Sequence, residues 1–426
     1  MTANSILATS PSKRVPIWGW VCRLGLFSLA LTSLEAATLV TDISEDTSNG
    51  DGVTDTLDRR RRLQGMSSDR EEPEWLQSYR KTRDGYLDRI GLDIGANYDV
   101  AGLVAFGGQD TAKGFSGDFT VSGLWLLTGD KWRWPLDLQF RVRDRHAIGG
   151  RSASEVAAAS GDVSWNMIDG FSDAGLEVPD FQLVQHLPKR DLEIHYGQMT
   201  IDSYFDRHAL RSSKQAFFNR AFSSNPAVAF PRFGAGVTAI WKPKDIGFDF
   251  TLGASSVQGT QNGQQVDLSF GSSDFFSALQ VGRDYELWGN KARGQLMIWH
   301  SDAVQDAQTP SGHGASLTFE HWIASSNNRL FARAAWSEGG ASDTDRMLST
   351  GIALERPDND LVGFAVGMGR DSSGSNDWQA VFETFYRWQI GPSIQITPEA
   401  QFLFGSGLKP DKSFRLVAGL RAEISF

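Results

Sequence analysis

The chain has 426 residues, 41 Lys and Arg against 51 Asp and Glu, a net charge of −10 and a single cysteine, Cys22. That acidic balance excludes a general nucleic-acid binder, which presents a basic surface, and one cysteine excludes a disulfide framework. No run of ~20 apolar residues follows the N-terminal region, so no helix there is apolar enough to span a bilayer.

Residues 1–37 read as a secretory signal peptide. Lys13, Arg14 and Arg23 flank a short apolar core, Leu24 to Leu34, and cleavage is expected after Ala36 or Ala37. The site is irregular, because Leu34 or Glu35 stands where a small residue is preferred. A single anchor helix is the competing reading, and the apolar run is short for it. Cys22 lies within this segment, and Trp20-Val21 before it does not form a lipobox. Residues 38–75 read as a polar periplasmic linker without fixed structure, acidic from Asp42 to Asp58 and basic from Arg59 to Arg62. Glu74 to Asp88 suggests a short helix or turn leading into a domain at 76–426.

From Tyr86 onward the period is two. Ile90, Leu92, Ile94, Ala96, Tyr98 and Val100 alternate with Asp93, Asn97 and Asp99; Leu136, Leu138, Phe140 and Val142 alternate with Asp137, Gln139, Arg141 and Arg143. Gly129-Asp130 marks a turn between Phe115–Thr128 and the latter run. Residues 147–180 and 206–230 break the pattern, and breaks this long are usually functional. Ser212 to Phe222 has helical spacing, stopped by Pro226 and Pro231. Strand segments include Leu192–Phe205, Ile246–Gly259 and six more between Phe275 and Gly369.

The last stretch is the clearest. Trp378, Ala380, Phe382, Thr384, Tyr386 and Trp388 share one face, and Gln379, Glu383, Arg387 and Gln389 the other. Ile394 to Phe404 and Phe414 to Phe426 repeat the alternation. Successive side chains of a strand point to opposite faces, so each segment has one apolar and one polar side. A soluble sandwich would bury the apolar side; a membrane barrel turns it to lipid and lines a wet lumen with the polar side. The chain is read as all-β, a transmembrane antiparallel β-barrel of roughly sixteen strands, the bacterial outer-membrane porin type. The mean hydropathy of −0.30 is compatible with this, because alternation dilutes a barrel's apolar signal.

The polar side supplies the candidate solute-binding residues: Arg141, Arg143, Glu383, Arg387, Glu399, Gln401, Arg415, Arg421 and Glu423. Interleaved charges of both signs suit neutral, hydroxyl-rich solutes, whereas a ring of one sign selects ions. The same residues would equally serve as cross-strand ion pairs that hold the wall. Phe385 interrupts the polar side and is read as a sugar platform or as packing under a loop; Trp378, Tyr386 and Trp388 read as lipid-interface anchors.

Glu383-Thr384-Phe385-Tyr386-Arg387-Trp388-Gln389-Ile390, Gln395 to Phe402 and Gly419-Leu420-Arg421 to Phe426 resemble the carbohydrate-selective porin family of the OprB type. Tyr196-Gly197-Gln198, Phe217-Phe218-Asn219, Phe230-Pro231 and the Arg143-Asp144-Arg145 core are similar to it as well. One departure is Glu399-Ala400-Gln401-Phe402, where the family usually has Asp-Leu-Gln-Tyr. The resemblance implies a monomer or homotrimer in the bacterial outer membrane that lets small, glucose-like carbohydrates diffuse into the periplasm. It also implies that the assembly machinery reads the terminal aromatic, Phe426. A general or anion-selective porin is the alternative, and a barrel enzyme or structural outer-membrane protein is a third. The scattered histidines show no H-E-x-x-H spacing, and no G-x-S-x-G elbow occurs. No catalytic residue, metal or cofactor is therefore expected.

Overall fold

The computed structural model describes residue 57 and residues 74–426, apart from 108–110, 129–132, 162–163, 261–262, 271–273, 305–307, 324–327, 375 and 409–413. The signal at 1–37, almost all of the linker at 38–75 and the Gly129-Asp130 turn lie outside the described residues. Helix α1 (Glu74–Ile90) leads into the first strand.

Sixteen strands follow: β1 (Leu92–Phe106), β2 (Ala112–Leu126), β3 (Leu136–Ala147), β4 (Gly175–Leu187), β5 (Leu192–Met199), β6 (Gly234–Trp241), β7 (Asp249–Ser256) and β8 (Phe275–Leu287) in the first half. The second half holds β9 (Asn290–Ser301), β10 (Gly312–Ile323), β11 (Asn328–Glu338), β12 (Thr344–Glu355), β13 (Leu361–Asp371), β14 (Trp378–Gly391), β15 (Ile394–Phe404) and β16 (Phe414–Ser425). Each pairs with its sequence neighbours, and β1 closes on β16 in antiparallel register from Asn97 opposite Ser425 to Phe106 opposite Leu416. Closure removes the unpaired edges that an open sheet would present to lipid.

The alternation sorts the faces as the sequence predicts. Along β13, Phe364, Val366 and Met368 are exposed while Gly363, Ala365, Gly367 and Gly369 face inward. Leu348 on β12 and Leu420 on β16 are each 55% exposed. A water-soluble protein does not ring itself with such residues; a bilayer accepts them. Trp125, Trp241 and Trp388 sit exposed near strand ends, with Trp134 and Trp288 in the turns beyond. They form the interfacial girdle of a barrel.

Connections alternate in length. At one end the turns are short, such as 188–191, 288–289 and 392–393; at the other lie 148–174, 200–233 and 257–274. The first of these contains α2 (Val156–Ser160) and the second α3 (Arg220–Ser223). The helix expected over Ser212 to Phe222 is therefore only one turn, α3. Its backbone is satisfied by the wall instead: Glu383 accepts from the amides of Phe218 and Asn219, and Arg421 donates to the carbonyls of Ser213 and Ala216. With those groups already bonded, helix formation offers little. Likewise the strand expected over Leu192–Phe205 ends at Met199, where a short 3₁₀ turn at Ile201–Ser203 starts the inward departure.

Candidate functional site

The segment 200–233 is inside the barrel. Nearly every residue from Phe205 to Val228 is buried, and its partners come from around the wall. Lys214 Nζ lies 3.0 Å from Asp99 of β1 and 3.1 Å from Asp118 of β2. Asn219 donates to Gln401 of β15 at 2.8 Å. On the far side Asp206 accepts from Ser316 and Thr318 of β10, each at 2.7 Å, and lies 3.1 Å from Arg333 of β11. Gln295 of β9 donates to the Arg207 carbonyl at 2.8 Å. A segment bonded to β1, β2, β9, β10, β11 and β15 crosses the lumen.

Around Phe217 the inserted segment packs on the wall through an apolar cluster. Phe217 packs edge-on against Phe385 of β14, ring centroids 5.0 Å apart, and against Phe222 at 5.3 Å. Ala101, Leu103, Ala105, Ala335, Ala353 and Ala365 of the wall belong to the same apolar cluster. Small inward residues make room for the inserted phenylalanines, which is why this part of the wall lacks the polar side seen elsewhere. Phe385, read from sequence as platform or packing, packs under the loop.

The segment 148–174 adds a second layer. Trp165 donates to Asn219 Oδ1 at 2.8 Å, the Asp169 amide donates to the Phe218 carbonyl at 3.1 Å, and Gln401 donates to the Met167 carbonyl at 2.8 Å. At its outer turn Glu155 accepts from the Ser152 hydroxyl at 2.7 Å and the Ser152 amide at 2.8 Å, and these bonds hold its carboxyl below the usual range.

A cavity of about 290 Å³ remains between the two segments and the β3 wall. Seven of its twenty lining residues are arginines. Arg141, Arg143 and Arg145 enter from β3, and Arg207, Arg211 and Arg232 from the inserted segment. Arg220 joins them, with Asn166, Asp169 and Asp202. The arginines are held by carboxylates set behind or beside them: Arg141 to Asp180 at 2.6 Å, Arg143 to Glu177 at 2.8 Å, Arg145 to Asp118 at 2.8 Å and Arg211 to Asp202 at 2.7 Å. Such forks are strongly directional donors to hydroxyl and carboxylate oxygens. Among the described residues no group of three or more His, Cys, Asp or Glu side chains is placed to hold a metal.

The nine residues singled out from sequence divide into groups. Arg141 and Arg143 line the cavity. Glu383, Arg387, Gln401, Arg421 and Glu423 hold the inserted segment; Arg387 donates to the Gln215 backbone carbonyl at 3.1 Å, and Glu423 accepts from the Gln215 side-chain Nε2. Glu399 accepts from Gln401 at 3.2 Å and lies over Gly419, where a Cβ would fall 2.1 Å from its carboxylate oxygen. Arg415 donates to the Gly107 carbonyl at 3.0 Å, tying down the β1–β2 connection. Sequence reasoning did not select Arg145, Arg207, Arg211, Arg220 or Arg232. For the last four, the recurrence of arginine from 207 to 232 inside a break in strand pattern is a signal that could have found them.

Comparison with known proteins agrees with this architecture. Residues 147–426 match the sequence profile of the carbohydrate-selective porin, OprB family. The chain is 23% identical over 258 residues to porin AaxA of Chlamydia abortus, covering 57% of this chain and 55% of that protein. It thus spans little more than half the length of that curated relative. A high-pH structure of Pseudomonas putida OprB superposes with a TM-score of 0.67 at 15% identity, covering 81% of this chain and 97% of that one. Salmonella typhi OmpF in complex with daunomycin gives 0.52 at 10% identity, covering 79% and 99%. At these identities the solved structures speak for the fold.

Proposed function

This chain belongs to the carbohydrate-selective porin, OprB family, and from that premise we propose that it gives passive, substrate-preferring diffusion of small, glucose-like carbohydrates into the periplasm. It is a bacterial outer-membrane barrel, a channel rather than an enzyme.

The observation that carries the proposal is the size and chemistry of the cavity between the two inserted segments. Its volume of about 290 Å³ is at the small end of ligand-sized cavities, about 300–1,000 Å³. That volume accommodates a solute of roughly monosaccharide size. Arg141, Arg143 and Arg145, with Asn166 and Asp169, offer donors and acceptors at its rim. A sugar leaving bulk water needs such partners to replace part of its hydration. Because the arginines are already ion-paired, they remain fixed in place while solutes pass, and no cofactor is required.

A general or anion-selective diffusion porin is the competing reading, and the arginine-rich lining favours it enough to test. In single-channel recordings, glucose added to either side should reduce the ion current in a concentration-dependent way. An unchanged current at saturating glucose would leave a porin with no sugar preference.

A further inference from the structure

We infer, building on the carbohydrate-channel reading, that the pore favours sugars bearing a carboxylate, such as aldonates and uronates, and that Arg143 and Arg232 bind that group.

The inference rests on how cations and carboxylates are layered. Glu177 of β4 receives two arginines, Arg143 through Nε at 2.8 Å and Arg232 through Nη2 at 2.5 Å. Asp118 of β2 receives Arg145 at 2.8 Å and Lys214 at 3.1 Å. Glu177 is thus shared by two cations, whereas at Asp118 the second cation, Lys214, also has Asp99 as a partner. The carboxylates are also the deeper partners. Side-chain exposure is 14% for Arg143 and 47% for Arg232 against 3% for Glu177, and 17% for Arg145 against 0% for Asp118. The positive ends of these pairs therefore face the cavity and the negative ends face the wall. A chain of net charge −10 presents its solutes with a cationic surface at this point.

The geometry at Phe233 locates the binding pair. The guanidinium carbons of Arg143 and Arg232 lie 5.7 and 4.8 Å from the centre of its ring. One buried ring and one buried carboxylate thus orient both forks at the same rim. The bonds to Glu177 engage one nitrogen of each guanidinium, and a planar fork presents several further N–H groups in the pattern that fits a carboxylate. A neutral sugar gains only hydrogen bonds there. An acidic sugar of nearly the same size gains charge assistance as well, so the cavity admits both and electrostatics separates them. In a water-filled pore that advantage is several-fold rather than thousands-fold, and it weakens with salt.

The test uses the full-length barrel in liposomes and planar bilayers. Gluconate should enter liposomes about threefold faster than glucose or more, and the zero-current potential in a KCl gradient should have the sign of chloride preference. Arg232→Gln should lower the gluconate-to-glucose ratio. Glu177→Gln should raise it, since it removes the carboxylate while leaving both guanidiniums. These opposite shifts are not expected from general damage to the fold. If a variant does not fold, the wild-type ratio and zero-current potential still decide. A ratio at or below one with glucose still entering would overturn the inference and leave the carbohydrate channel intact; variants shifting the ratio in the same direction, or not at all, would overturn it too. Entry of neither solute would overturn both.

Discussion

Glu383 of β14 accepts the backbone N–H of Asn219 at 2.9 Å, across the barrel lumen from the strand that carries it to the segment that narrows it. The same carboxylate accepts the amide of Phe218 at 2.5 Å. One wall residue thus holds two consecutive amides of the inserted segment, at the point where Phe217 enters the apolar cluster. Glu383→Ala leaves both amides buried without a partner, at a cost of about 1–3 kcal/mol each. The barrel should still close, because its strand ladder is untouched. Single-channel conductance should rise and become noisier as the segment loosens; an unchanged trace would show that the segment is held elsewhere.

Lys214 offers a sharper stability test. It sits against two buried carboxylates, Asp99 and Asp118. Lys214→Met removes the charge that both face, and breaking a buried pair in this way costs about 3–5 kcal/mol. Arg145 still holds Asp118, so Asp99 bears most of the loss. Restoring stability with Asp99→Asn in the same chain, read from the temperature at which the folded band is lost on a detergent gel, would confirm the pairing. No recovery would refute it.

By contrast, Arg220 and Asp343 form a pair at 2.5 Å whose side chains are 30% and 46% exposed. Solvent-exposed pairs contribute about 0–1 kcal/mol. Arg220→Ala should therefore leave thermal stability nearly unchanged while altering conductance, because Arg220 also lines the cavity. A large loss of stability would mean that the pair is structural.

The outer face makes the opposite demand. Leu348 lies mid-strand on β12, opposite Met368 of β13, and is 55% exposed. Leu348→Arg should cost about 2–4 kcal/mol if this position faces the bilayer midplane. Folding yield into lipid vesicles should fall accordingly, whereas the same change on a water-facing surface would pass unnoticed.

Much of this architecture is legible in the sequence because a barrel writes its two faces in alternate residues. From Trp378 to Phe426 the alternation separates Trp378, Tyr386 and Trp388, all exposed, from Glu383, Gln401 and Arg421, all buried. The breaks expected at 147–180 and 206–230 overlap the segments 148–174 and 200–233, which leave the wall and lose the period of two, although 175–180 already belong to β4. Alternation assigns a face, however, and carries nothing about position around the barrel. Glu383 and Arg143 both point inward, yet one grips the inserted segment and the other borders open space. Only the path of 200–233 decides between them. That path depends on contacts far apart in the chain, such as Asn219 with Gln401 and Asp206 with Thr318. The inserted arginines escaped selection because loop residues carry no periodic signature.

A closed barrel whose inserted segments leave a cavity of about 290 Å³ should pass solutes of monosaccharide size and hold back larger ones. The most direct measurement is swelling of liposomes containing the purified protein, in a panel of neutral sugars of increasing length with amino acids alongside. Rapid entry of glucose, slow entry of disaccharides and exclusion of longer oligosaccharides is the expected result. No entry of any sugar, or equal entry of all of them, would contradict it.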